Sequence, residues 1–348
     1  MNKKFTTCWI TVNRACNLRC TWCYAKETGF KLNDELKIED GIKIVDLCVE
    51  LGIKTIILIG GEPTIYSKIF ELIQYIKSFN IRVVLVTNGV ILKDINLVRK
   101  YIDCGIDSFS ISLKASNSLL YKKVTGYDQF NNVMNTINNL AVLGAKFSVT
   151  SVLTNENINN FLAGLVEAKN NGAKSFGLSF CYNFDINNET KQEFLRNNNP
   201  YILAKNFSNI YPEICEKLKG CSFSLEQSLP LCVWEKSFID EMNNNGHLRS
   251  ICQLLKGNGL LFDTDLNLIP CNAMYKLKYG KFGIDFNNAE TLFSYINSEK
   301  IVKFFNKLRG VPDEECLKCS ICKYCGGGCV TNWTNYSFDE LKTLKERS

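Results

Sequence analysis

The sequence predicts an α/β fold: a partial (βα)6 TIM-like barrel with a small, metal-organised domain at its C-terminal end. Three observations predict it. Short β-branched runs alternate with longer amphipathic segments from about residue 6 to residue 181. The alternation stops beyond about residue 184. Cysteines then concentrate in the tail that follows. Strands alternating with helices read as βαβ units in a parallel sheet with right-handed crossovers. The expected organisation is a barrel over 1–183, a linker and helical bridge over 184–245, and the small domain over 246–348.

The first strand is TTCWITV (6–12), and IEDGIKIVDLCVEL (38–51) follows as a helix with apolar residues at three- and four-residue spacing. KTIILIG (54–60) and IRVVLVT (81–87) read as buried strands, separated by the helical YSKIFELIQYIKSF (66–79). INLVRKYI (95–102) leads to the strand DSFSISL (107–113), and DQFNNVMNTINNLAVL (128–143) to KFSVTSVL (146–153). NINNFLAGLVEAK (157–169) and the strand KSFGLSF (174–180) complete six units, two short of a closed eight-stranded barrel. In such sheets function gathers at the C-terminal ends of the strands. The polar NFDINNETKQEFLRNNNP (183–200) reads as a linker entering a helix.

Seventeen cysteines stand against a single histidine, His247. An odd count rules out complete disulfide pairing, and in a chain this long cysteine density points to metal or redox chemistry. With one imidazole, any metal is held by sulfur, as zinc or as an iron–sulfur cluster. No apolar run approaches the about 20 residues of a membrane span, and Asn13 and Arg14 interrupt the only early apolar stretch, so neither a membrane protein nor a signal peptide is expected. A cytoplasmic protein is the expectation. The net charge of +6 comes from scattered lysines, with no run of five basic residues, so nucleic acid is not an expected partner.

RACNLRCTWCY (14–24) places Cys16, Cys20 and Cys23 in a CxxxCxxC run followed directly by Tyr24. It follows the first strand and so lies at the barrel's functional end. Three thiolates can hold three irons of a 4Fe–4S cube and leave the fourth open; a zinc knuckle with a distant fourth ligand is the structural alternative. GGEP, Gly60, Gly61, Glu62 and Pro63, comes just past the second strand. Together these motifs resemble the radical S-adenosylmethionine (SAM) enzymes. LVTNG (85–89) and SISLK (110–114) look like the same family's strand ends. The resemblance implies an open-iron 4Fe–4S cluster on Cys16, Cys20 and Cys23. It implies SAM contacts at Tyr24, at the GGEP turn, whose glycines allow close backbone approach, and at Asn88, Ser112 and Lys114. In that family a reduced cluster cleaves SAM to a 5′-deoxyadenosyl radical that abstracts hydrogen from the substrate, with flavodoxin or ferredoxin as electron donor.

CLKCSICKYCGGGC carries Cys316, Cys319, Cys325 and Cys329 as CxxCx5CxxxC, with Cys322 as an extra. Cys252 and Cys271 bracket a hairpin in ICQLLKGNGLLFDTDLNLIPCN. These resemble the SPASM extension of radical SAM enzymes, which implies one or two auxiliary 4Fe–4S clusters; a structural zinc domain is the alternative. The sequence departs from that pattern: no cysteine follows Cys329, and Asn267 stands at a usual glycine. The expected partition is Cys316, Cys319, Cys322 and Cys325 around one cluster. Cys252, Cys271 and Cys329 hold the other, completed by Cys232 or an exogenous ligand. Cys48 and Cys104 read as buried packing residues. Cys181, ending the sixth strand, is a candidate hydrogen donor to a substrate radical, with plain packing as the alternative.

The resemblance implies a peptide substrate, matured by epimerisation or by a thioether or carbon–carbon crosslink. Formylglycine formation is disfavoured, because those relatives carry an Asp beside the hairpin cysteine and this chain has Asn272, an amide that does not accept a proton. The first strand begins close to Met1, so the expectation is that leader recognition comes from a separate protein or that the reaction does not depend on it. Two rival classes are a radical SAM enzyme acting on a small metabolite and a non-catalytic iron–sulfur electron carrier.

Overall fold

A computed structural model of the chain describes residues 5–181, 198–226, 228–249, 252, 256–308 and 313–331. The six predicted strands all form, within a residue or two of the expected bounds: β1 (Thr7–Thr11), β2 (Thr55–Ile59), β3 (Arg82–Thr87), β4 (Ser108–Ser112), β5 (Phe147–Leu153) and β6 (Ser175–Phe180). They lie in sequence order and pair in parallel, with Ile10 opposite Leu58 and Leu58 opposite Leu85.

Burial alternates along these strands with the two-residue period of a pleated sheet. Cys8, Ile10, Ile56, Leu58, Val83 and Leu85 are fully buried. They share one apolar core with residues of the crossover helices α1 (Ile38–Glu50), α2 (Ile69–Ser78), α3 (Ile95–Cys104), α5 (Phe130–Val142) and α6 (Phe161–Asn170). The intervening residues face the barrel interior and are mostly half-buried. One further short helix, α4 (Ser118–Thr125), follows β4; its Asn117 caps it by accepting from the Leu120 amide.

The sheet continues past the six units on both edges, giving the order β11-β10-β9-β1-β2-β3-β4-β5-β6-β7-β8. Residues 182–197, which include most of the expected linker, lie outside the described residues. Beyond them the stretch expected as a helical bridge holds α7 (Pro200–Lys217), then β7 (Ser222–Glu226), a seventh wall strand parallel to β6. Next come α8 (Lys236–Asn244) and the two-residue β8 (Leu248–Arg249).

At the other edge, the predicted hairpin forms from β9 (Gly259–Phe262) and β10 (Asn267–Leu268), with β11 (Gly280–Lys281) beside it. β9 pairs parallel with β1, Thr7 opposite Gly259, so the C-terminal region is welded onto the barrel wall. Asn267 explains its own departure from glycine. The left-handed backbone falls on Leu266 (φ 66°), while the Asn267 side chain donates to both Asp263 oxygens, at 3.0 and 2.9 Å. Thr264 at the hairpin tip donates to Asp34 at 2.7 Å.

The helices α9 (Ala289–Ile296), α10 (Glu299–Leu308), α11 (Glu314–Lys318) and α12 (Cys322–Cys325) complete the C-terminal region. No helix among the described residues is long and apolar enough to cross a membrane.

Candidate functional site

The first cysteine loop leaves β1 and is fastened to the turn after β2 by backbone. Gly61 N donates to Asn13 O at 2.9 Å, Glu62 N to Ala15 O at 2.8 Å, and Asn13 Nδ2 to Glu62 O at 2.9 Å. The two glycines of GGEP make this possible. A Cβ on Gly60 would stand 2.2 Å from Asn13 Oδ1, and one on Gly61 2.2 Å from Ala15 O and 2.4 Å from Arg14 O. The close approach their missing side chains permit is therefore first of all to the protein's own cysteine loop. Pro63 opens a 3-10 turn, Pro63–Ile65, at the position where its absent N–H costs nothing.

The far side of the loop hangs on α4: Arg19 N donates to Thr125 O and Thr21 N to Val124 O, each at 2.9 Å. Within this frame Cys16 and Cys23 accept backbone amides from Leu18 and Ala25, both at 3.4 Å. Burial pushes the Cys16 thiol up to about 12, with the nearby Glu62, Cys20 and Cys23 adding to the rise. Burial also raises Cys23, against the opposing charges of Lys114 and Lys26. The three thiols thus share one neighbourhood, and the charge of Lys114 stands near Cys23.

Glu62 is 1% exposed and spent internally. Its Oε1 accepts from Thr64 N at 3.1 Å and from the Thr64 and Thr87 hydroxyls, and its Oε2 accepts Asn88 N at 2.7 Å. Its carboxylate therefore braces the ends of β2 and β3, and any contact from this residue to a ligand falls to its backbone. Asn88 turns its side chain toward the cysteine loop, donating to Asn17 Oδ1 at 2.7 Å and standing 4.0 Å from Cys16 Sγ. The Tyr24 hydroxyl reaches Gly60 O at 3.5 Å. Ser112 ends β4, half-buried, opposite Thr150.

The polar atoms left over test whether a cluster and its ligand fit here. Trp9 Nε1, Thr11 Oγ1, Asn13 Oδ1 and Arg14 Nη1 are buried without a hydrogen-bond partner, all on β1 or just past it. So is the Tyr121 hydroxyl on α4, close enough to Cys20, Glu62 and Cys16 for their charges to raise its phenol, after burial itself. Arg14 is 4% exposed, and its guanidinium lies 5.5 Å from the Tyr275 ring centroid. A buried guanidinium and unsatisfied donors around three thiols suit an anionic group bearing sulfur and carboxylate acceptors. Among the described residues no three Cys, His, Asp or Glu side chains close around a single ion. A four-iron cube, with thiolates at its outer corners, asks for wider spacing. The donor set fits that group. Neither Arg14 nor Tyr121 was singled out from the sequence; a lone Arg before a cysteine run and a Tyr on a short helix carry no periodic signal.

The second cysteine region divides into two sets. Cys252 and Cys271 pack against Met274 and Val330. Burial raises Cys329 to about 12 and Cys271 to about 11; Cys271 and Cys252 add to the former, Cys252 and Glu226 to the latter. The expected trio is thus together. Cys232 is not with it. Burial raises Cys232 to about 11, with Cys325, Cys316 and Cys319 adding, which places it in the other set. Cys322 lies close by as well, near enough to raise Cys316 and Cys325. The expectation that Cys232 completes the Cys252 set is corrected: the Ser228–Pro230 segment before it docks on the Cys325–Cys329 loop instead, and carries Cys232 along. Asn272 Oδ1 is buried without a partner. Cys181 follows β6, is 6% exposed, and is raised by burial to about 12, with Lys26 opposing.

Comparison with known proteins agrees with this geometry. A sequence model of the radical SAM superfamily matches residues 10–163, from β1 into α6, so the chain carries a radical SAM domain. That domain binds SAM and a 4Fe–4S cluster. Two curated relatives are both described as "Probable GTP 3',8-cyclase". The protein of Thermococcus kodakarensis is 33% identical over 128 residues, 37% of this chain and 41% of its own length. That of Sulfolobus acidocaldarius is 34% identical over 151 residues, 42% and 47%. The chain therefore spans less than half the length of these relatives. In three dimensions the likeness is broader. Streptococcus suis SuiB bound to precursor peptide SuiA superposes with a TM-score of 0.71 at 17% identity, over 97% of this chain and 76% of that one. Native anSMEcpe with bound AdoMet also gives 0.71, at 18% identity, over 98% and 97%. Identities this low speak to fold alone, and the fold is a radical SAM barrel with a C-terminal extension.

Proposed function

We propose that this protein is a radical SAM enzyme that matures a ribosomally made peptide, by epimerisation or by a thioether or carbon–carbon crosslink. The observation that carries the reading is the convergence at one sheet end. Cys16, Cys20 and Cys23, the Gly60–Pro63 turn and Asn88 meet where β1, β2 and β3 terminate, with the Cys271 hairpin fastened along β1. When bound, the cluster and SAM supply a 5′-deoxyadenosyl radical that removes hydrogen from the substrate. The chain's part is to hold and aim. Glu62 fixes the strand ends, Asn88 and Lys114 face the thiols, and Tyr24 lies between the cysteine loop and Gly60.

A peptide substrate is supported by the likeness of nearly the whole chain to SuiB, seen with its precursor peptide, and by a sheet whose terminal strands among the described residues, β8 and β11, are not paired with each other. The C-terminal region, 246–348 in this reading, supplies auxiliary clusters. Asn272 argues against formylglycine chemistry, since its amide takes up no proton at neutral pH. A second reading, a small-molecule substrate, is favoured by the relatives described as cyclases of GTP.

The test is anaerobic reconstitution of wild type and of the triple variant Cys16→Ala, Cys20→Ala, Cys23→Ala, followed by iron counting and assay of 5′-deoxyadenosine. Wild type is expected to carry about 8 to 12 irons, two or three four-iron clusters, and to cleave SAM, while the variant does not. Loading with zinc and no SAM cleavage would overturn the reading. Mass spectrometry, with chiral amino-acid analysis for an epimer, then decides between substrates: a change in a peptide encoded beside this gene, against consumption of GTP.

A further inference from the structure

We infer that Cys232 is the fourth sulfur ligand of the cluster bound by Cys316, Cys319 and Cys325, and that Cys322 stands outside that set. The inference deepens the reading above and rests on it, because it concerns an auxiliary cluster. It starts from Cys329, which lies with Cys252 and Cys271, so that the run before it offers Cys316, Cys319, Cys322 and Cys325.

The structure brings another thiol to them from a distant part of the chain. Past β7, the segment before Cys232 lies against the cysteine-rich turn. Cys329 N donates to Ser228 O at 3.0 Å, and a Cβ on Gly328 (φ 77°) would stand 2.6 Å from the Leu229 carbonyl carbon. Only glycine allows that docking. Pro230 then opens a 3-10 turn, Leu231–Val233, whose first amide donates to Cys325 Sγ at 3.3 Å. The same amide-to-sulfur contact marks Cys16 and Cys23 in the first loop, at 3.4 Å. One residue further on, Cys232 is brought among Cys325, Cys316 and Cys319.

Cys232 keeps part of its surface open to solvent even though the Cys325 loop crowds its thiol, and Cys319 is open to solvent too. Cys322 comes from the same short stretch as the other three and sits one helical turn before Cys325 in α12. A cube needs ligands from around it, and a donor on a separate docked segment meets that need where a fourth thiol from one ten-residue stretch does not. On ligation the Cys232 thiol gives its proton to solvent and its sulfur bonds to iron; no electron is exchanged.

The experiment counts iron in anaerobically reconstituted wild type, Cys232→Ala and Cys322→Ala, with the 5′-deoxyadenosine assay alongside. Cys232→Ala is expected to lose about four irons per chain while Cys322→Ala keeps them. Retention of all iron by Cys232→Ala overturns the inference, however Cys322→Ala behaves. If wild type itself holds only four irons and cleaves SAM, the auxiliary reading fails and the inference falls with it. Because an alanine variant can misfold, alkylation of wild type is the second measurement. Cys232 should resist iodoacetamide in the loaded protein and react after the iron is chelated. Full alkylation of Cys232 with the clusters intact equally overturns the assignment.

Discussion

A thiol's environment decides whether it acts as nucleophile, metal ligand or hydrogen donor. Cys181 illustrates the point. Buried at the end of β6 and raised to about 12, it stays an S–H group at neutral pH, the form that can give up a hydrogen atom and is useless as a nucleophile. Lys26, whose charge it feels, belongs to the first cysteine loop, so Cys181 overlooks the same end of the barrel as the cluster site. Cys181→Ala is therefore expected to leave 5′-deoxyadenosine formation within about threefold of wild type, while modified peptide falls at least tenfold. On the epimerisation reading proposed above, wild-type product formed in D2O should carry one deuterium. Unchanged product formation by Cys181→Ala would return this thiol to a packing role. Glu62 has a different part: its carboxylate is occupied by four donors of its own chain, which leaves a ligand contact to its backbone.

Elements position these residues, and the joint between the β1 loop and the turn after β2 bears most of that task. Gly61→Ala places a methyl carbon on two backbone carbonyl oxygens that cannot rotate away. The cost should be about 3 kcal/mol, and the cysteine loop has to lift to relieve it. Thermal unfolding and iron content of the variant check this together: both should fall, whereas Gly29→Ala, with open space around it but the same left-handed strain as other turn glycines, should lower stability and spare the iron. The elements themselves were largely legible. Strands β1–β6 and their helices follow hydrophobic periodicity, which local sequence carries. α4 was missed because eight residues give too few turns to show a period. β7 was missed because five residues behind a polar stretch resemble a loop. The Cys232 set was illegible for a different reason: SLPLCVW contains no CxxC spacing, and only docking across 94 residues brings its backbone to Cys325.

With one histidine in 348 residues, titration between about pH 5 and 7 rests heavily on a single imidazole. His247 precedes β8 with its ring against Phe223 and its Nδ1 2.9 Å from the Tyr211 hydroxyl, and burial lowers its pKa. The unfolded chain binds that proton near pH 6.5 and the folded chain only at lower pH. Its contribution is therefore intact above about 6.5 and is lost as pH falls from there through the folded value. Glu62 and Glu226, raised by burial, work the other way, favouring the folded state as pH falls toward the ordinary carboxylate range. Urea midpoints at pH 8 and pH 5.5 separate these effects: wild type should lose more than His247→Gln over that interval, and equal losses would refute the assignment. At this scale the sequence was least informative, because the pairing that closes the edge of the barrel joins residues more than 250 positions apart.

That pairing has a consequence for how the protein is made. β1 receives β2 early, but its other edge waits for β9, about 200 residues further along the chain. At about 5 to 20 residues per second, the ribosome leaves roughly 10 to 40 s between the two events. Throughout that interval the nascent barrel presents a bare strand edge next to Cys16, Cys20 and Cys23. Until Gly259–Phe262 pairs with β1, the strand that leads into these three thiols is bounded on one side only.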